Sequence, residues 1–331
     1  MGKFIMLCGL PASGKSTLAN GLSVREDAII LSSDAIREEL LNNVNDQSDN
    51  TRVFDVMNKR AKDLLSQGKN VIYDATNINR KRRIHLIKHE LQADEYIIYY
   101  ISKSLGECLY NDSQRDRKVG YEVINKMYKT LQIPTKLEGW NEVNFVNELD
   151  FIYERPYRDI FKIVINDDTP DHDGLFIELG KIIPEFNEVY NVPQDSKYHS
   201  FSISRHIFHT YLYVKTYYDR YNCNRYLETL VAALFHDLGK GHCKSFYNHK
   251  GEEKRHASFI GHEFVSAQLA SEYLYKLGFT DEFIKYVVDL IQFHMTPMNM
   301  TEKQELKLKS LLTDEQFEDL MFLHKADTSA K

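Results

Sequence analysis

Residues 9–16, with the sequence GLPASGKS, constrain the fold of this chain more than any other stretch. They fit the pattern G-x-x-x-x-G-K-[S/T], follow the apolar run Phe4–Leu7 and precede residues with helical spacing. In this context the glycines let the backbone turn so that its N–H groups point at phosphate oxygens, and the helix N-terminus adds a partial positive charge. The motif therefore predicts a nucleoside triphosphate site between a strand and a helix of an α/β domain.

Each part of this loop has an expected role towards ATP and Mg²⁺. Lys15 would contact the β- and γ-phosphates, and Ser16 would bind Mg²⁺. We expect the nucleotide to be bound by the loop residues Gly9, Ser13, Gly14, Lys15, Ser16 and Thr17.

The first half of the chain alternates short apolar runs with amphipathic stretches. The runs predict buried strands at Phe4–Leu7, Ala28–Leu31, Asn70–Tyr73, Tyr96–Ile101 and Val143–Val146. The segments between them predict helices at about 16–25, 34–43, 51–67, 79–91 and 104–131. Such alternation is typical of a parallel sheet with helices on both faces, the fold of the P-loop NTPases.

The pattern changes after about residue 190, where long segments with helical spacing replace the strand-like runs. They predict an all-helical domain with helices at Ser204–Tyr221, Arg225–Leu238, Phe259–Leu277, Asp281–Phe293 and Thr313–Ala326. Between the two patterns lie three prolines and the acidic stretch NDDTPDHDG, which predict a connector, although Ile160–Ile165 could add an edge strand to the first domain. The predicted division is a first domain at 1–149, a connector at 150–190 and a second domain at 191–331.

Composition restricts the classes of partner. The formal net charge of −6 lacks the basic footprint expected for binding duplex nucleic acid, but it leaves room for gripping a strand end through a local cluster such as Arg80–Arg83. Most of that cluster is equally explained as a solvated helix face. No apolar run reaches the ~18 residues of a membrane span, and the four cysteines contain no C-x-x-C pair, which argues against a disulfide framework and a zinc ribbon. We therefore expect a cytoplasmic protein, of a bacterium or a phage-infected cell, with no membrane partner.

Charged side chains follow the second predicted strand, where open α/β sheets carry their ligand crevice. In AIILSSDAIREEL, Asp34 is in a position to accept a proton from an acceptor hydroxyl, and Arg37, one turn further on, to bind a phosphate of the acceptor. The competing explanation is that Ser33 or Asp34 caps the following helix.

Two further segments extend this predicted kinase site. In YDATNINRKRR, Asp74 would hold Mg²⁺ through water, and Thr76 and Asn77 would line the acceptor groove. In NDSQRDRKV, Arg115 and Arg117 could close over the triphosphate and stabilise the charge that develops as the phosphoryl group leaves. An exposed face of alternating aspartate and arginine is the alternative for this second segment.

Taken together, these motifs resemble the 5′-kinase domain of bacteriophage polynucleotide kinase and its relatives. The resemblance covers about residues 3–150 and is carried by GLPASGKST, SSDAIR, YDATNINRKRR, an arginine-containing lid and VINKMYKTLQIPTKLEGWNEVNFV. It implies that Asp34 is the general base, that Arg37 grips the 3′-flanking phosphate of the acceptor and that Arg115 acts from the lid. The arginine spacing in the lid departs from the family's pattern, so Arg117 stays open as the acting residue.

The second half carries a different constellation around LVAALFHDLGKGH. His236 and Asp237 are adjacent on a predicted helix, where neighbouring side chains point about 100° apart, so further ligands would come from other helices. Helix bundles build metal sites from inward-facing side chains in this way. Each histidine taken singly could equally be structural, but every predicted helix of the set contributes a candidate ligand: His206, His209, His262, His294 and Asp327.

The order of these ligands resembles the HD superfamily of metal-dependent phosphohydrolases, over about residues 195–331. FHDLGKG followed by GHE is also close to the HD domain attached to bacterial tRNA nucleotidyltransferases. The resemblance implies a core metal site formed by His206, His236, Asp237 and Asp327. It also implies that His262 and His294 serve a second metal or the phosphate.

Two points within this second site stay open. Lys240 would contact the substrate phosphate, and His209 is a rival first ligand because it lies three residues from His206 on the same helix face. Imidazole and carboxylate ligands without thiolates suit a divalent ion such as Mn²⁺ or Ni²⁺ better than a structural zinc ion.

A kinase and a phosphohydrolase on one chain are useful together if they treat the same molecule. The sequence therefore predicts an RNA end-healing enzyme that phosphorylates 5′-OH ends and hydrolyses 2′,3′-cyclic phosphate or 2′/3′-phosphate ends. Its partners would be nucleic acid strand ends, RNA rather than DNA, and a separate RNA ligase acting downstream. The alternatives are a small-molecule kinase fused to a nucleotide phosphohydrolase, which the acidic charge favours, and a nucleotide-gated regulatory HD protein.

Overall fold

Two separate units make up the chain. A computed structural model describes residues 1–147, 155–196, 200–248 and 250–330. The units are Met1–Asn147 and Glu148–Lys331, and each contains its own buried apolar residues.

A five-stranded parallel sheet forms the centre of the first unit, and all five predicted strands are confirmed. The strands are β1 (Lys3–Cys8), β2 (Ala28–Ser32), β3 (Asn70–Asp74), β4 (Glu95–Ser102) and β5 (Glu142–Asn147). Their order is β2-β3-β1-β4-β5. Because the chain passes from β3 on one side of β1 to β4 on the other, the loop after β1 lies where the strand order reverses, which is where open α/β sheets bind ligands.

Side chains on β1 alternate between two buried faces of the sheet, as the two-residue period of a strand requires. Ile5 packs with Leu22 of helix α1 (Lys15–Arg25) on one face. The neighbouring Phe4 contacts Tyr73, with the two ring centroids 5.6 Å apart. A continuous apolar run at the centre of the sheet is therefore explained by burial on both sides.

The helices of this unit follow the predicted alternation, with one difference in the lid. After α1 come α2 (Ser33–Leu41), α3 (Asn50–Ser66), α4 (Arg80–His85) with a π-helical turn at Leu86–Glu90, α5 (Leu105–Ser113) and α6 (Tyr121–Tyr128). The single helix predicted at 104–131 is wrong, because the chain turns between α5 and α6. The Asp112 carboxylate accepts a hydrogen bond from the backbone N–H of Gly120 at 2.9 Å, and Gly120 has φ 87°. A loop closed by this side-chain hydrogen bond therefore replaces helical hydrogen bonds there.

The basic run at the start of α4 divides into two pairs. Arg80 and Arg83, three residues apart, point inward and share the fully buried Glu138, with Arg80 Nε 3.1 Å and Arg83 Nη2 2.6 Å from its Oε1. Lys81 and Arg82 are exposed. The solvated-face interpretation is therefore wrong for two of the four residues, because helical periodicity puts positions three apart on the same, here buried, face.

The second unit is mostly helical. Its helices are α7 (Arg155–Asn166), α8 (His172–Gly180), α9 (Glu185–Val189), α10 (Ile203–Tyr217), α11 (Tyr226–Phe235), α12 (Gly239–Cys243), α13 (His262–Lys276), α14 (Asp281–Phe293), α15 (Glu302–Lys309) and α16 (Asp314–Ser329). Among the residues that the structure describes, no helix has the length and apolar character needed to span a membrane.

The segment predicted as a connector contributes three of these helices to the second unit. Ile160–Ile165, considered as an edge strand, is part of α7, and that alternative is wrong. Phe161 and Ile165 lie four residues apart and are almost fully buried, and Tyr211 of α10 donates a hydrogen bond to the Ile165 carbonyl at 3.1 Å. The apolar residues of this segment therefore have helical rather than strand spacing.

A small hairpin departs from the all-helical prediction. Strands β6 (Ser245–Tyr247) and β7 (Glu253–Ser258) pair antiparallel between α12 and α13. The Asn248 side chain accepts the backbone N–H of Glu252 at 3.0 Å, and Gly251 has φ 80°, so a side-chain-stabilised turn reverses the chain.

Candidate active sites

The loop after β1 has the geometry of a phosphate-binding loop. Gly14, directly before α1, has φ 97°, a left-handed conformation that a glycine adopts without strain. The Gly9 backbone N–H donates to the Thr76 carbonyl at 3.1 Å, which ties the loop to the end of β3. Ser13 Oγ is buried and has no hydrogen-bond partner within the described part of the chain. The loop therefore presents an unsatisfied hydroxyl at the start of a helix, where an anion is favoured.

Lys15 lies under this loop, with Nζ 2.5 Å from the Leu10 carbonyl oxygen. Burial lowers the pKa of Lys15, the Asp74 carboxylate opposes that shift, and the charge of Arg115 adds to it. The Lys15 ammonium is thus held by a single carbonyl beside the loop, within reach of an incoming anion.

Ser16 and Asp74 form the neighbouring pair. Ser16 Oγ donates to Asp74 Oδ2 at 2.9 Å, and burial raises the pKa of Asp74 although this hydrogen bond lowers it. A hydroxyl oxygen beside a carboxylate is a donor set that suits Mg²⁺. These residues fit the predicted magnesium site, while Thr17 lies exposed on α1.

Asp34 lies in the first turn of α2 between two arginines. The cap of this helix is Ser32, whose side chain accepts from the Ala35 N–H at 3.5 Å, so the capping alternative for Ser33 or Asp34 is wrong. Arg37 Nη1 donates to Asp34 Oδ1 at 2.8 Å, and Arg117 Nη1 donates to Asp34 Oδ2 at 2.6 Å. The Asp34 side chain is 52% exposed, so its carboxylate can still be reached from solvent.

The two lid arginines have different surroundings. Arg117 pairs with Asp34, and its Nε donates to Asn45 Oδ1 at 2.8 Å, which places it beside α2. Arg115 is exposed, and its charge acts on Lys15 at the phosphate-binding loop. Sequence reasoning missed both the pairing of Arg117 with Asp34 and the asparagine beside it, since neither interaction has a local signal.

In the second unit, the predicted metal ligands come together from five elements. His206 is on α10, His262 begins α13, Asp327 is on α16, and the others directly follow α11 and α14, namely His236, Asp237 and His294. Gly239 permits this arrangement, since a Cβ there would lie 2.4 Å from the His262 carbonyl oxygen and block the approach of α12 to α13. Gly239, the first glycine of FHDLGKG, thus lets the segment with His236 and Asp237 lie close to His262.

All four histidines are oriented in the same way. Each Nδ1 donates to a backbone carbonyl: His206 to Ala330 at 2.6 Å, His236 to Ala233 at 2.8 Å, His262 to Phe259 at 2.8 Å and His294 to Ile291 at 2.7 Å. Because a carbonyl only accepts, each Nδ1 carries the proton, and in the neutral ring Nε2 then has the free lone pair. A backbone carbonyl that fixes the ring and the tautomer is the usual outer partner of a metal-bound histidine.

These Nε2 atoms converge in two groups that Asp237 joins. One group is formed by His206, His236 and Asp327, and the other by Asp237, His262 and His294. Within each group the ligand atoms lie within 4.8 Å of one another. Asp237 Oδ2 is 3.2 Å from His206 Nε2, while Oδ1 is 3.2 Å from His262 Nε2. Two adjacent groups of candidate metal ligands therefore meet at the Asp237 carboxylate.

The electrostatics of this centre agree with a cation-binding role. Neither buried oxygen of Asp237 accepts a well-aligned hydrogen bond from any described residue. Burial and, to a smaller extent, the neighbouring His236 and His262 together lower the pKa of His294 to about 3, so this ring is neutral and able to bind a metal. Burial also lowers the pKa of His206, but the carboxylates of Asp237 and Asp327 outweigh it and raise the value to about 9. Without a metal this ring therefore carries a proton on Nε2, next to the two carboxylates, and a bound cation would replace that proton. The donor set is imidazole and carboxylate, which fits a divalent cation such as Mn²⁺ or Ni²⁺.

Lys240 and His209 lie beside the centre. Lys240 Nζ is 2.6 Å from Asp237 Oδ2 and 2.9 Å from Gln194 Oε1, so it neutralises a ligand carboxylate. His209 belongs to neither ligand group, and its ring stacks on Phe201 with centroids 4.7 Å apart.

Comparisons with known proteins match both domains. Residues 4–134 match the AAA domain family, and residues 203–330 match the HD domain family. Fold and sites together define an enzyme that joins a P-loop kinase domain to an HD phosphohydrolase domain.

A comparison with a curated relative identifies the family of the chain more specifically. The L-seryl-tRNA(Sec) kinase of Methanococcus maripaludis is 32% identical over 184 residues, which cover 54% of this chain and 70% of the relative. The chain therefore belongs to the family of this kinase. A CC-adding tRNA nucleotidyltransferase of Thermus thermophilus is 34% identical over 104 residues, 31% of this chain and 23% of that protein.

One solved structure is also similar, at a lower level. A chain in "Structure of Pnkp1/Rnl/Hen1 complex" has 22% sequence identity and a TM-score of 0.31, over 36% of this chain and 40% of that chain. A likeness at this level carries no argument about function.

Proposed function

We propose that this enzyme heals RNA ends. The first unit transfers the γ-phosphoryl group of ATP to a 5′-OH, and the second hydrolyses a 2′,3′-cyclic phosphate or a 2′/3′-phosphate. The observation that carries the kinase half is the pair formed by Asp34 and Arg37, 2.8 Å apart at the carboxyl edge of the sheet. A proton acceptor beside a cation suits a hydroxyl that is carried next to a phosphate, as at the 5′ end of a strand.

In this proposal the residues of the first unit have separate tasks. Asp34 takes the proton of the acceptor hydroxyl, and Arg37, which Asn50 holds at 3.0 Å, binds the phosphate on its 3′ side. Lys15 exchanges the Leu10 carbonyl for the β- and γ-phosphates. Arg115 and Arg117 neutralise charge from the lid, one on the side of the loop and the other on the side of Asp34. Mg²⁺ held at Ser16 and Asp74 supplies further charge neutralisation.

In the second unit, the residues prepare a site for phosphate esters. The four histidines and two aspartates would hold two divalent cations, and Asp237 would be shared between them. Metal ions of this kind supply Lewis-acid chemistry towards a phosphate oxygen. Lys240 keeps the buried Asp237 carboxylate ionised through their 2.6 Å ion pair and lies next to where a substrate phosphate would bind. We further propose that a separate RNA ligase joins the healed ends.

A second candidate acceptor follows from the family membership. The relative's name describes a kinase that acts on L-seryl-tRNA(Sec). In this second candidate, the hydroxyl that gives its proton to Asp34 belongs to an amino acid esterified to RNA rather than to a strand end. A small-molecule acceptor is the remaining alternative, and the acidic net charge of −6 favours it.

Labelled ATP separates these acceptors directly. The protein is incubated with Mg²⁺, [γ-³²P]ATP and one of three acceptors: a 5′-OH oligoribonucleotide, the same RNA already carrying a 5′-phosphate, or seryl-tRNA. We expect label only on the 5′-OH oligoribonucleotide. Label only on seryl-tRNA would transfer the proposal to the second candidate, and label on neither would exclude both.

The second unit is tested with RNA ending in a 2′,3′-cyclic phosphate and added Mn²⁺ or Ni²⁺. We expect conversion to a phosphomonoester or a diol end, with no conversion in the presence of EDTA. RNA that stays cyclic with every divalent metal would exclude the hydrolase half of the proposal.

A further inference from the structure

A pocket of about 670 Å³ opens in the first unit between α3, the segment after β3 and α4. Its wall includes Phe54 and Asn58 from α3 and Lys81 and Arg82 from α4. The volume falls within the roughly 300–1,000 Å³ of typical small-ligand sites. Neither the phosphate-binding loop nor the Asp34 pair accounts for this pocket.

The pocket touches both parts of the proposed kinase site. Asn50, one of its lining residues, accepts a hydrogen bond at 3.0 Å from the Arg37 guanidinium, which also binds Asp34. Thr76, another lining residue, accepts the Gly9 N–H of the phosphate-binding loop at 3.1 Å. The pocket therefore borders both the Asp34–Arg37 pair, where the acceptor hydroxyl is expected, and the phosphate-binding loop.

The rim carries positive charge that the fold does not use. The Lys81 and Arg82 side chains are exposed and have no ion-pair or hydrogen-bond partner among the described residues. Arg80 and Arg83, by contrast, are buried against Glu138. The exposed carboxylate of Asp55 also lines the pocket, but Lys81 and Arg82 outnumber it, so the exposed part of the lining favours an anionic ligand.

The interior offers a flat aromatic surface with fixed polar groups around it. Phe54 is half-buried and lines the pocket. Asn58 is held in place because its Oδ1 accepts from the Tyr73 hydroxyl at 2.6 Å and its Nδ2 donates to Glu90 at 2.8 Å. Glu90 is also 3.2 Å from His85, so the acid at this end of the pocket is partnered. A nucleobase, which stacks on aromatic rings whatever its sequence, suits such a surface.

We propose that this pocket receives the acceptor strand beyond its first nucleotide, with a nucleobase stacked on Phe54 and a following phosphate bound by Lys81 and Arg82. The proposal rests on the proposed 5′-OH kinase function and deepens it. Arg37 binds the phosphate nearest the hydroxyl, while the pocket binds the part of the acceptor that a nucleoside lacks. The pocket would therefore make the enzyme prefer a polynucleotide over a small molecule.

The test compares variants on a short and a long acceptor. Phe54→Ala and the double variant Lys81→Ala/Arg82→Ala are assayed with a 5′-OH oligoribonucleotide and with a nucleoside 3′-monophosphate. We expect each variant to raise the KM for the oligoribonucleotide about tenfold, because one stacked base or the bound phosphate is no longer held. The KM for the nucleoside 3′-monophosphate, the KM for ATP and kcat should stay close to the wild-type values.

Two controls guard against a general structural effect. Lys62→Ala removes an exposed lysine from α3 outside the pocket and should behave as wild type. Phe54→Tyr keeps a ring and should restore the KM for the oligoribonucleotide.

The salt dependence of single-strand binding is a separate check on Lys81→Ala/Arg82→Ala. The slope of log binding constant against log salt concentration should become less steep by about 0.7 for each phosphate that is no longer neutralised.

The outcomes separate this inference from the proposed function. If the wild-type protein labels no 5′-OH oligoribonucleotide, the proposed function fails, and this inference fails with it. If the wild type labels it but all variants keep the KM of Lys62→Ala, only the pocket assignment is overturned. Equal losses on the long and the short acceptor would also overturn it, because the pocket would then not bind the rest of the strand.

Discussion

The two sites of this chain satisfy their polar groups in opposite ways. In the first unit, Asp34 is 52% exposed and both of its oxygens are paired with arginines, so the site consists of protein contacts that substrates must replace. In the second, Asp237 is 1% exposed and shares a buried centre with four inward-facing Nε2 atoms that cannot all satisfy one another. In the proposed function, the first site would be completed by rearrangement of charged side chains, and the second by cations entering a preformed set of ligands.

This difference predicts different sensitivities. A preformed buried ligand set loses its function when one shared ligand is removed, since the remaining atoms cannot move to compensate. A site of exposed charged side chains loses activity according to how directly each side chain contacts the reacting groups. Substitutions in the two units test this difference in sensitivity.

We expect the largest effect from Asp237→Asn. The variant loses the carboxylate that faces both ligand groups, so both metal positions are affected together. Metal affinity should fall by more than about 100-fold, since loss of an outer partner alone costs about 10- to 100-fold. Equilibrium dialysis with Mn²⁺ measures this, and Asp281→Asn, an exposed aspartate of α14, is the control. Binding of two Mn²⁺ ions with wild-type affinity would show that Asp237 is not the shared ligand.

Asp34→Asn should have the next largest effect, and only on phosphoryl transfer. Loss of a general base typically lowers the rate by about 10²- to 10⁴-fold. The amide keeps the shape and can still accept from Arg37, so we expect a fall in kcat with little change in the KM for ATP. Asp63→Asn, an exposed aspartate of α3, is the matched control. A variant that keeps its kcat would remove Asp34 from the chemistry, and a loss of metal-dependent hydrolysis as well would mean that the two sites are coupled.

The lid arginines should show smaller and distinguishable effects. Arg117 contacts Asp34, whereas the charge of Arg115 makes only a small contribution to the lowered pKa of Lys15. We therefore expect Arg115→Ala to lower kcat and Arg117→Ala to raise the KM for the acceptor, each by about tenfold, as for the removal of one charge-assisted hydrogen bond. Steady-state kinetics with ATP and acceptor varied in turn separate the two. The reverse assignment would indicate that the lid closes differently over the triphosphate once ATP binds.

Local sequence signals were sufficient for the sheet and for the clustering of the residues predicted as metal ligands. The central strands β1 and β3 are buried on both faces, so each is a continuous apolar run. The clustered histidines and aspartates lie within short motifs such as FHDLGKG. The pairing of Arg117 with Asp34 joins residues 83 positions apart, and no local pattern encodes it. The burial of Arg80 and Arg83 likewise depends on Glu138, more than fifty residues away, because an arginine run looks solvated until its partner is known.

The split of the lid and the β6–β7 hairpin were missed for a related reason. In both places a side-chain oxygen accepts a hydrogen bond from a backbone N–H group: Asp112 accepts from Gly120, and Asn248 accepts from Glu252. Such bonds compete with helix formation but leave the apolar periodicity almost unchanged, so a pattern of apolar residues continues across them. Asparagine and aspartate near a glycine were the available signal.

His209 should give the smallest effect and the sharpest check on the ligand set. It lies three residues from His206 on α10, and the sequence leaves either as first ligand. His206 directs Nε2 to 2.9 Å from Asp327, whereas the His209 ring stacks on Phe201 and belongs to neither group. We expect His209→Asn to bind Mn²⁺ like the wild type and His206→Asn to lose at least one ion. If the two variants behave in the opposite way, α10 must rotate by about 60° when metal binds, the angle between side chains three residues apart, and the second site would then share the rearranging character of the first.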